Sequence, residues 1–359
     1  MPELPEVYGF TYVTNREIKN DYLVGIQFIS GKYAICGKRT INYINELQHS
    51  LPLKVNGMKC KGKFSWFDFK FDQQAIPTQN TQLQPTQNTQ SQPTQNTQSQ
   101  PTMNKTFDWK LGISFGLEGR LSFFKPKEDK YVRVIYTFKR HNSTQVYNLY
   151  YYDSCNYGNI TVYRSQSELN TKLDTIGDDL RTTQLTDDNF VELCRKHNTM
   201  SFTQFLMCQK YIAGVGNYVK SETLFLGRIN PHAKINQLSD GKLKRYYERC
   251  RIFLTFMCHI REVKFSAFMY IETLENQSNE YMCKYLERIQ KIITYYDYLM
   301  NKDLQLTGDD KIFKNPISLV YVIHHQSSYK DLNGIVYDVV CEKAPKVGGR
   351  KTYYVKEFV

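Results

Sequence analysis

The sequence predicts an α+β chain with strands in the first half, helices in the second and a closing β-hairpin. Three observations predict it. From residue 1 to about 165, short runs rich in β-branched and aromatic residues alternate with polar breaks. From about 186 the apolar positions recur at three and four residues. Over 313–359 the chain returns to short alternating runs punctuated by glycine. At 359 residues it has room for two domains and a small third.

Taken in order, a helix is expected over roughly 6–19, followed by strand-like runs at 63–71, 111–115, 132–138 and 146–152. Residues 77–100 are an octapeptide written three times, PTQNTQLQ, PTQNTQSQ and PTQNTQSQ. It carries no charge and almost no apolar surface to bury, so disorder is expected over 77–102. The simplest arrangement is an expanded hairpin loop that leaves the flanking strands paired, because loop-closure cost grows only logarithmically with length. Asp187-Asp188 can cap a helix carrying Phe190, Val191, Leu193 and Cys194. Further helices are expected at about 201–210, 216–226 and 238–262, and at 275–305 with Leu286, Ile289, Ile292 and Ile293 at helical spacing.

The formal charge of +12 favours a polyanionic partner over a merely solvated basic surface. Tyrosine is abundant, with 28 residues that can pack a core or stack on bases. The nine cysteines, at 36, 60, 155, 194, 208, 250, 258, 283 and 341, include no C-x-x-C pair. That argues against a disulfide framework and a thiolate zinc knuckle, and for reduced, mostly buried thiols. No run of about 18 apolar residues and no charged-then-apolar leader is present. A soluble, intracellular protein is expected; nucleus, cytoplasm and viral particle are not distinguished.

Three segments could carry chemistry. The chain opens MPELPEV. If Met1 is removed, Pro2 presents a secondary amine that titrates near neutrality, at roughly 7.7–8.0 for an α-amino group. Such an amine can attack a masked aldehyde to give an iminium, and Glu3 beside it could move protons. Any Met-Pro start also reads as an ordinary stiff entry into a helix or strand. In the second segment, Gln209 to Glu222, Gly214 and Gly216 separate two helical stretches. A helix N-terminus is a natural phosphate seat, with Asn217 as a side-chain donor and Lys210 and Lys220 close by; most G-x-G pairs are only turns. In the third, Gly348-Gly349-Arg350 reads as a hairpin turn entering a strand, with Arg350 either a bidentate phosphate contact or a surface arginine.

Together, MPELPEV, IAGVGNYV with the following S-E-T-L-F, and G-G-R-x-T-Y-Y-V resemble the formamidopyrimidine-DNA glycosylase/endonuclease VIII family. The match covers nearly the whole chain in order, apart from 77–102 and much of 265–315. The resemblance implies an N-terminal β-sandwich with flanking helices (1–165), a helix–two-turn–helix domain (185–312) and a finger hairpin (313–359), with DNA in the cleft. It implies a bifunctional glycosylase and AP lyase that needs no cofactor, acts as a monomer on damaged duplex or single-stranded DNA, and cleaves by β- and δ-elimination. Pro2 matches the nucleophile, Glu3 the acid/base, and Lys63 of Lys61-Gly62-Lys63 a phosphate-contacting lysine, with Lys61 as the register alternative. Asn217 matches the phosphate-binding asparagine, beside Gly216 and Lys210 as DNA-side neighbours, and Arg350 the finger arginine.

The chain also departs from that family. Many relatives end in a Cys₄ zinc finger, but here Cys341 stands alone and the second pair reads Val355 and Phe358. One thiolate cannot close a tetrahedral zinc site. A zincless finger is expected, without metal, packed through Val339, Tyr353 and Val355. In the void-filling set, Leu117 takes the family's Met position and Tyr157 the aromatic wedge, while Cys155 and Asn156 stand where the family has two arginines. Asn156 cannot reproduce an arginine's bidentate hold on an orphan base. That weakens opposite-base selection and favours single-stranded or oxidised-pyrimidine substrates. A catalytically silent damaged-DNA binding module is the competing reading, and a proline-tautomerase-like enzyme a remote third.

Overall fold

Eight strands of the first half form one antiparallel sheet: β1 (Tyr22–Phe28), β2 (Leu53–Lys61), β3 (Phe64–Lys70), β4 (Lys110–Ser114), β5 (Arg120–Ser122), β6 (Val132–Lys139), β7 (Val146–Tyr152) and β8 (Asn159–Tyr163), in the order β5-β7-β6-β1-β2-β3-β4-β8. The structure, a computed structural model, describes residues 2–34, 41–70, 107–125, 129–181, 185–271, 287, 291, 327–330, 336–343 and 351–355. β1 meets β2 only at Tyr22↔Lys54 and Leu23↔Leu53, whereas its pairing with β6 runs from Tyr22↔Lys139 to Phe28↔Val134. The sheet bends at that narrow corner. Phe67 of β3 and Tyr136 of β6 are three strand steps apart, roughly 14 Å in a flat sheet, yet their ring centroids lie 5.4 Å apart. The two halves therefore close face to face on Phe67, Phe69, Leu111, Val134, Phe138 and Leu149, as a sandwich does.

β3 and β4 pair from Phe64↔Ser114 to Asp68↔Lys110, so the strands that flank the octapeptide repeat are hairpin partners, as the sequence suggests. At the neck of that hairpin the buried Lys110 ammonium donates to Asp68 and Asp108, each at 2.6 Å. The repeat itself lies outside the described residues.

Helix α1 (Leu4–Ile18) starts two residues earlier than its apolar spacing suggests, because Glu6 Oε2 accepts from the Glu3 backbone N–H at 3.0 Å and holds the first turn. α1 buries Val7, Phe10 and Ile18 in the sheet core. Short helices α2 (Ile44–His49) and α3 (Gln166–Leu173) bury one residue each, Leu47 and Leu169, and so leave almost no periodic signal.

The helical half contains α4 (Asp187–Arg195), α5 (Phe202–Met207), α6 (Asn217–Leu226) and α7 (Asp240–Ile271). Thr186, not the aspartate pair, caps α4: its hydroxyl accepts from Asn189 N–H at 3.1 Å. α7 runs past the expected end at 262, since Phe265 stacks 4.4 Å from Phe10 and Ser266 accepts from Arg16. Of the helix expected over 275–305, only Glu287 and Lys291 are described, and both are helical. Two-residue strands β9 (Asp178–Asp179) and β10 (Ile212–Ala213) run parallel.

The final sheet contains β11 (Ser328–Lys330), β12 (Val336–Lys343) and β13 (Lys351–Val355), with Val339 opposite Val355 and Cys341 opposite Tyr353. Val339, Tyr353 and Val355 join the helical core. This donor set does not fit a four-thiolate zinc site: Cys341 is exposed, and fully buried Val355 packs among apolar side chains. No described helix is long and apolar enough to cross a membrane.

Candidate active site

Three segments distant in sequence meet at the start of α1. The Leu4 N–H donates to Gly214 C=O at 3.1 Å, which fixes the N-terminus against the turn that precedes α6. Gln209 shapes that turn, accepting from Gly214 N–H at 2.9 Å and donating to Val215 C=O at 2.7 Å. Gly62, at φ +57°, packs so tightly on the same turn that a Cβ there would sit 2.7 Å from the Ala213 Cβ. Its N–H faces buried Asp179.

Glu3 is the centre of this junction. Its side chain crosses to α6, where Oε1 accepts from Tyr218 N–H and Oε2 from Val219 N–H, both at 3.0 Å. The sequence offers those amides as a phosphate seat; in the fold they hold Glu3. Gly216 corrects the expectation in the same way. A Cβ there would lie 2.1 Å from the Glu3 carboxyl carbon, so its bare backbone makes room for Glu3 and is buried beneath it.

Glu3 is 3 % exposed. Burial pushes its carboxyl up to about 7, against the pull of Lys63 and the two amides, with Glu6 adding to the rise. It can therefore hold or release a proton near neutrality. Pro2, half-buried, is its sequence neighbour. Behind the pair, Glu6 accepts from Tyr218 Oη at 3.0 Å and forms a 2.8 Å ion pair with Arg261.

The two lysine registers separate. Lys63 is the cation acting on Glu3, whereas Lys61 Nζ is turned onto Leu173 C=O at 3.1 Å. Asn217 opens α6 half-buried, and its Oδ1 accepts from Lys220 Nζ at 2.9 Å. Lys210 is exposed; Lys220, its apparent companion in the sequence, is fully buried. Arg350 and Met1 lie outside the described residues.

A second group of residues lies on two touching loops. Gly116, at φ +66°, abuts Tyr157 and Gly158, which brings the 115–119 loop against the 153–158 loop. Asp153 organises the latter, accepting from Asn156 N–H at 3.0 Å and Gly158 N–H at 2.7 Å. On these two loops Leu117 (39 %) and Tyr157 (63 %) are exposed. Asn156, at φ +56°, is turned onto the Gly31–Lys32 backbone, with Oδ1 at 3.4 Å from Lys32 N–H.

Residues 176–257 match the family described as the formamidopyrimidine-DNA glycosylase H2TH domain. The chain is 27 % identical over 142 residues to the formamidopyrimidine-DNA glycosylase of Listeria monocytogenes serotype 4b, covering 39 % of this chain and 50 % of that one. It is 31 % identical over 131 residues to the Mycoplasma mobile enzyme of the same name, covering 36 % and 45 %. Its fold is similar to that of a mutant Lactococcus lactis FPG solved with Fapy-dG containing DNA, with a TM-score of 0.63, 16 % identity and 99 % of both chains covered. Residues 176–257 are thus an H2TH segment of the kind found in formamidopyrimidine-DNA glycosylases, in a chain whose fold is similar to that of the Lactococcus protein. The matched stretch spans about half the length of those curated relatives. A second Lactococcus structure of the family, bound to AP-site DNA, has a TM-score of 0.60 at 17 % identity, covering 99 % of this chain and 98 % of that one. Within the family's H2TH segment, the residues that sequence reasoning underuses are Gln209 and Lys220. In the sequence Lys220 is only a basic neighbour of the helix start and Gln209 has no role; the three-dimensional turn reveals what each holds.

Proposed function

We propose that the chain is a bifunctional DNA glycosylase/AP lyase of base excision repair, acting on damaged DNA through an imine at Pro2. The observation that carries this reading is Glu3: a buried carboxyl poised near neutrality, held by two helix amides, next to the chain's second residue and within reach of the Lys63 charge. Mere binding needs no such group. The H2TH match and the likeness to the named glycosylases support the same class.

The chemistry follows in order. The target nucleotide leaves the stack so that its sugar can be reached, at a cost of a few kcal/mol. The unprotonated Pro2 amine attacks C1′ while Glu3, protonated, gives its proton to the departing base or the opened sugar oxygen. The glycosidic C1′–N bond breaks with its electron pair on the base as the Pro2 N–C1′ bond forms. The proline nitrogen then loses its proton, and the C1′–O4′ bond breaks with its pair on O4′, which is protonated to a hydroxyl, leaving a ring-opened Pro2 iminium. That cation acidifies the C2′ proton. Its removal expels the 3′ phosphate, and a second elimination expels the 5′ phosphate. Lys63 and Arg350 offset charge on the leaving phosphates, and Asn217 grips the strand. Leu117 and Tyr157 fill the space the nucleotide vacates. With Asn156 folded back onto 31–32, the loop tip offers apolar and aromatic groups to the orphan base, so opposite-base selection is weak.

Incision of duplexes and single strands carrying abasic sites or oxidised bases tests the reading. Cleavage leaving phosphate at both ends of the gap supports it; tight binding to abasic DNA with no base release and no cleavage would favour a silent binding module.

A further inference from the structure

Lys220 is buried in α6, yet its ammonium reaches two acceptors on different elements: Asn217 Oδ1 at 2.9 Å and Lys351 C=O, at the start of β13, at 3.1 Å. Next to it, Ser221 Oγ accepts from Tyr353 N–H at 3.3 Å. Lys351 and Tyr353 share strand parity, so both groups belong to one edge of β13. β12 pairs on the other side. Two side chains of α6 thus satisfy that edge as a neighbouring strand would.

An ammonium donates and never accepts, so Lys220 decides which way the Asn217 carboxamide faces. The oxygen turns inward to Nζ, and the NH₂ turns the other way as a donor. A phosphate oxygen only accepts, so this is the orientation an asparagine needs to grip DNA. With the amide reversed, Asn217 would offer phosphate an oxygen and repel it.

We infer that Lys220 is a positioning residue: it orients the Asn217 amide toward a DNA phosphate and ties that seat to the finger strand β13, so the two act as one unit. This rests on the reading of Asn217 as a backbone contact. Lys220 touches no DNA itself.

A double-mutant cycle tests it, with affinity measured on a duplex carrying a tetrahydrofuran abasic analogue. Asn217→Ala weakens binding, and Lys220→Met weakens it roughly tenfold in the parent but less than about twofold in the Asn217→Ala background, because contacting residues couple. Lys220→Arg, which keeps the donors, restores most of the affinity. A merely structural lysine would cost the same in both backgrounds, and that result overturns the inference while leaving Asn217 as a contact. No effect of Asn217→Ala overturns the contact and the inference together. Thermal melting checks each variant; should Lys220→Met not fold, the neutral polar Lys220→Gln enters the same cycle with the same criteria.

Discussion

The junction around Glu3 and the pair of loops bearing Leu117 and Tyr157 are built on opposite principles. At the junction, polar groups are buried and matched: Glu3 takes two amides, Glu6 takes a tyrosine and an arginine, and Gln209 closes the turn. On the loops, Asp153 holds its own backbone turn, Asn156 and the Asp153 and Ser154 carbonyls are tied back to Lys32 and Arg133, and Leu117 and Tyr157 are left facing outward. The first arrangement fixes reacting groups before substrate arrives, which is what chemistry at a sugar needs. The second offers shape and stacking with little hydrogen-bond reading, which tolerates many bases. On the proposed function, the difference would place reaction type and substrate choice in separate parts of the molecule, which could then be broken separately.

The largest effect is expected at Glu3. Glu3→Gln keeps the size but removes the titration, and base excision should fall by roughly 10²–10⁴-fold. In the parent, the rate should rise as the Pro2 amine loses its proton and fall as Glu3 loses its own near 7; in the variant the fall at high pH should vanish. Stability shifts with the same group. Folded Glu3 keeps a proton that the unfolded chain releases above about 4.5, so stability should decline as pH rises from 4.5 through 7 and then level. The full span is about 3 kcal/mol for a shift of that size. Glu3→Gln should flatten that slope in denaturant titrations.

Gly216→Ala comes next. A methyl in the space of the Glu3 carboxyl must displace it, and a shift of that kind should cost roughly 10²-fold in excision while DNA affinity holds. If excision survives, the close approach of Gly216 to Glu3 is not what places the acid.

The smallest effect belongs to the other region. Tyr157→Ala removes a stacking face, worth about 1 kcal/mol or roughly fivefold in affinity for an abasic duplex. The pH profile should not move. A changed profile would mean that the two regions are not separable.

The sequence already carries much of this. Alternation and apolar spacing place β6, β7, α6 and the pairing of β3 with β4, because those elements bury one face or one long run. α2 and α3 are silent for want of a buried stripe, and the α4 cap falls to Thr186 because a hydroxyl just outside the helix reaches Asn189. The motifs bring Pro2, Glu3 and Asn217 to notice. They cannot reveal that the α6 amides are spent on Glu3, that Lys61 is tied to the end of α3, or that Lys220 is buried, since each depends on contacts between segments far apart in sequence.

Borohydride reduction during reaction with an abasic duplex tests the central claim most directly, using protein whose N-terminus is verified as Pro2. A covalent enzyme–DNA adduct that maps to Pro2 by peptide sequencing is predicted. Intact abasic-DNA binding with no adduct, or an adduct on a lysine such as Lys63, would contradict the account.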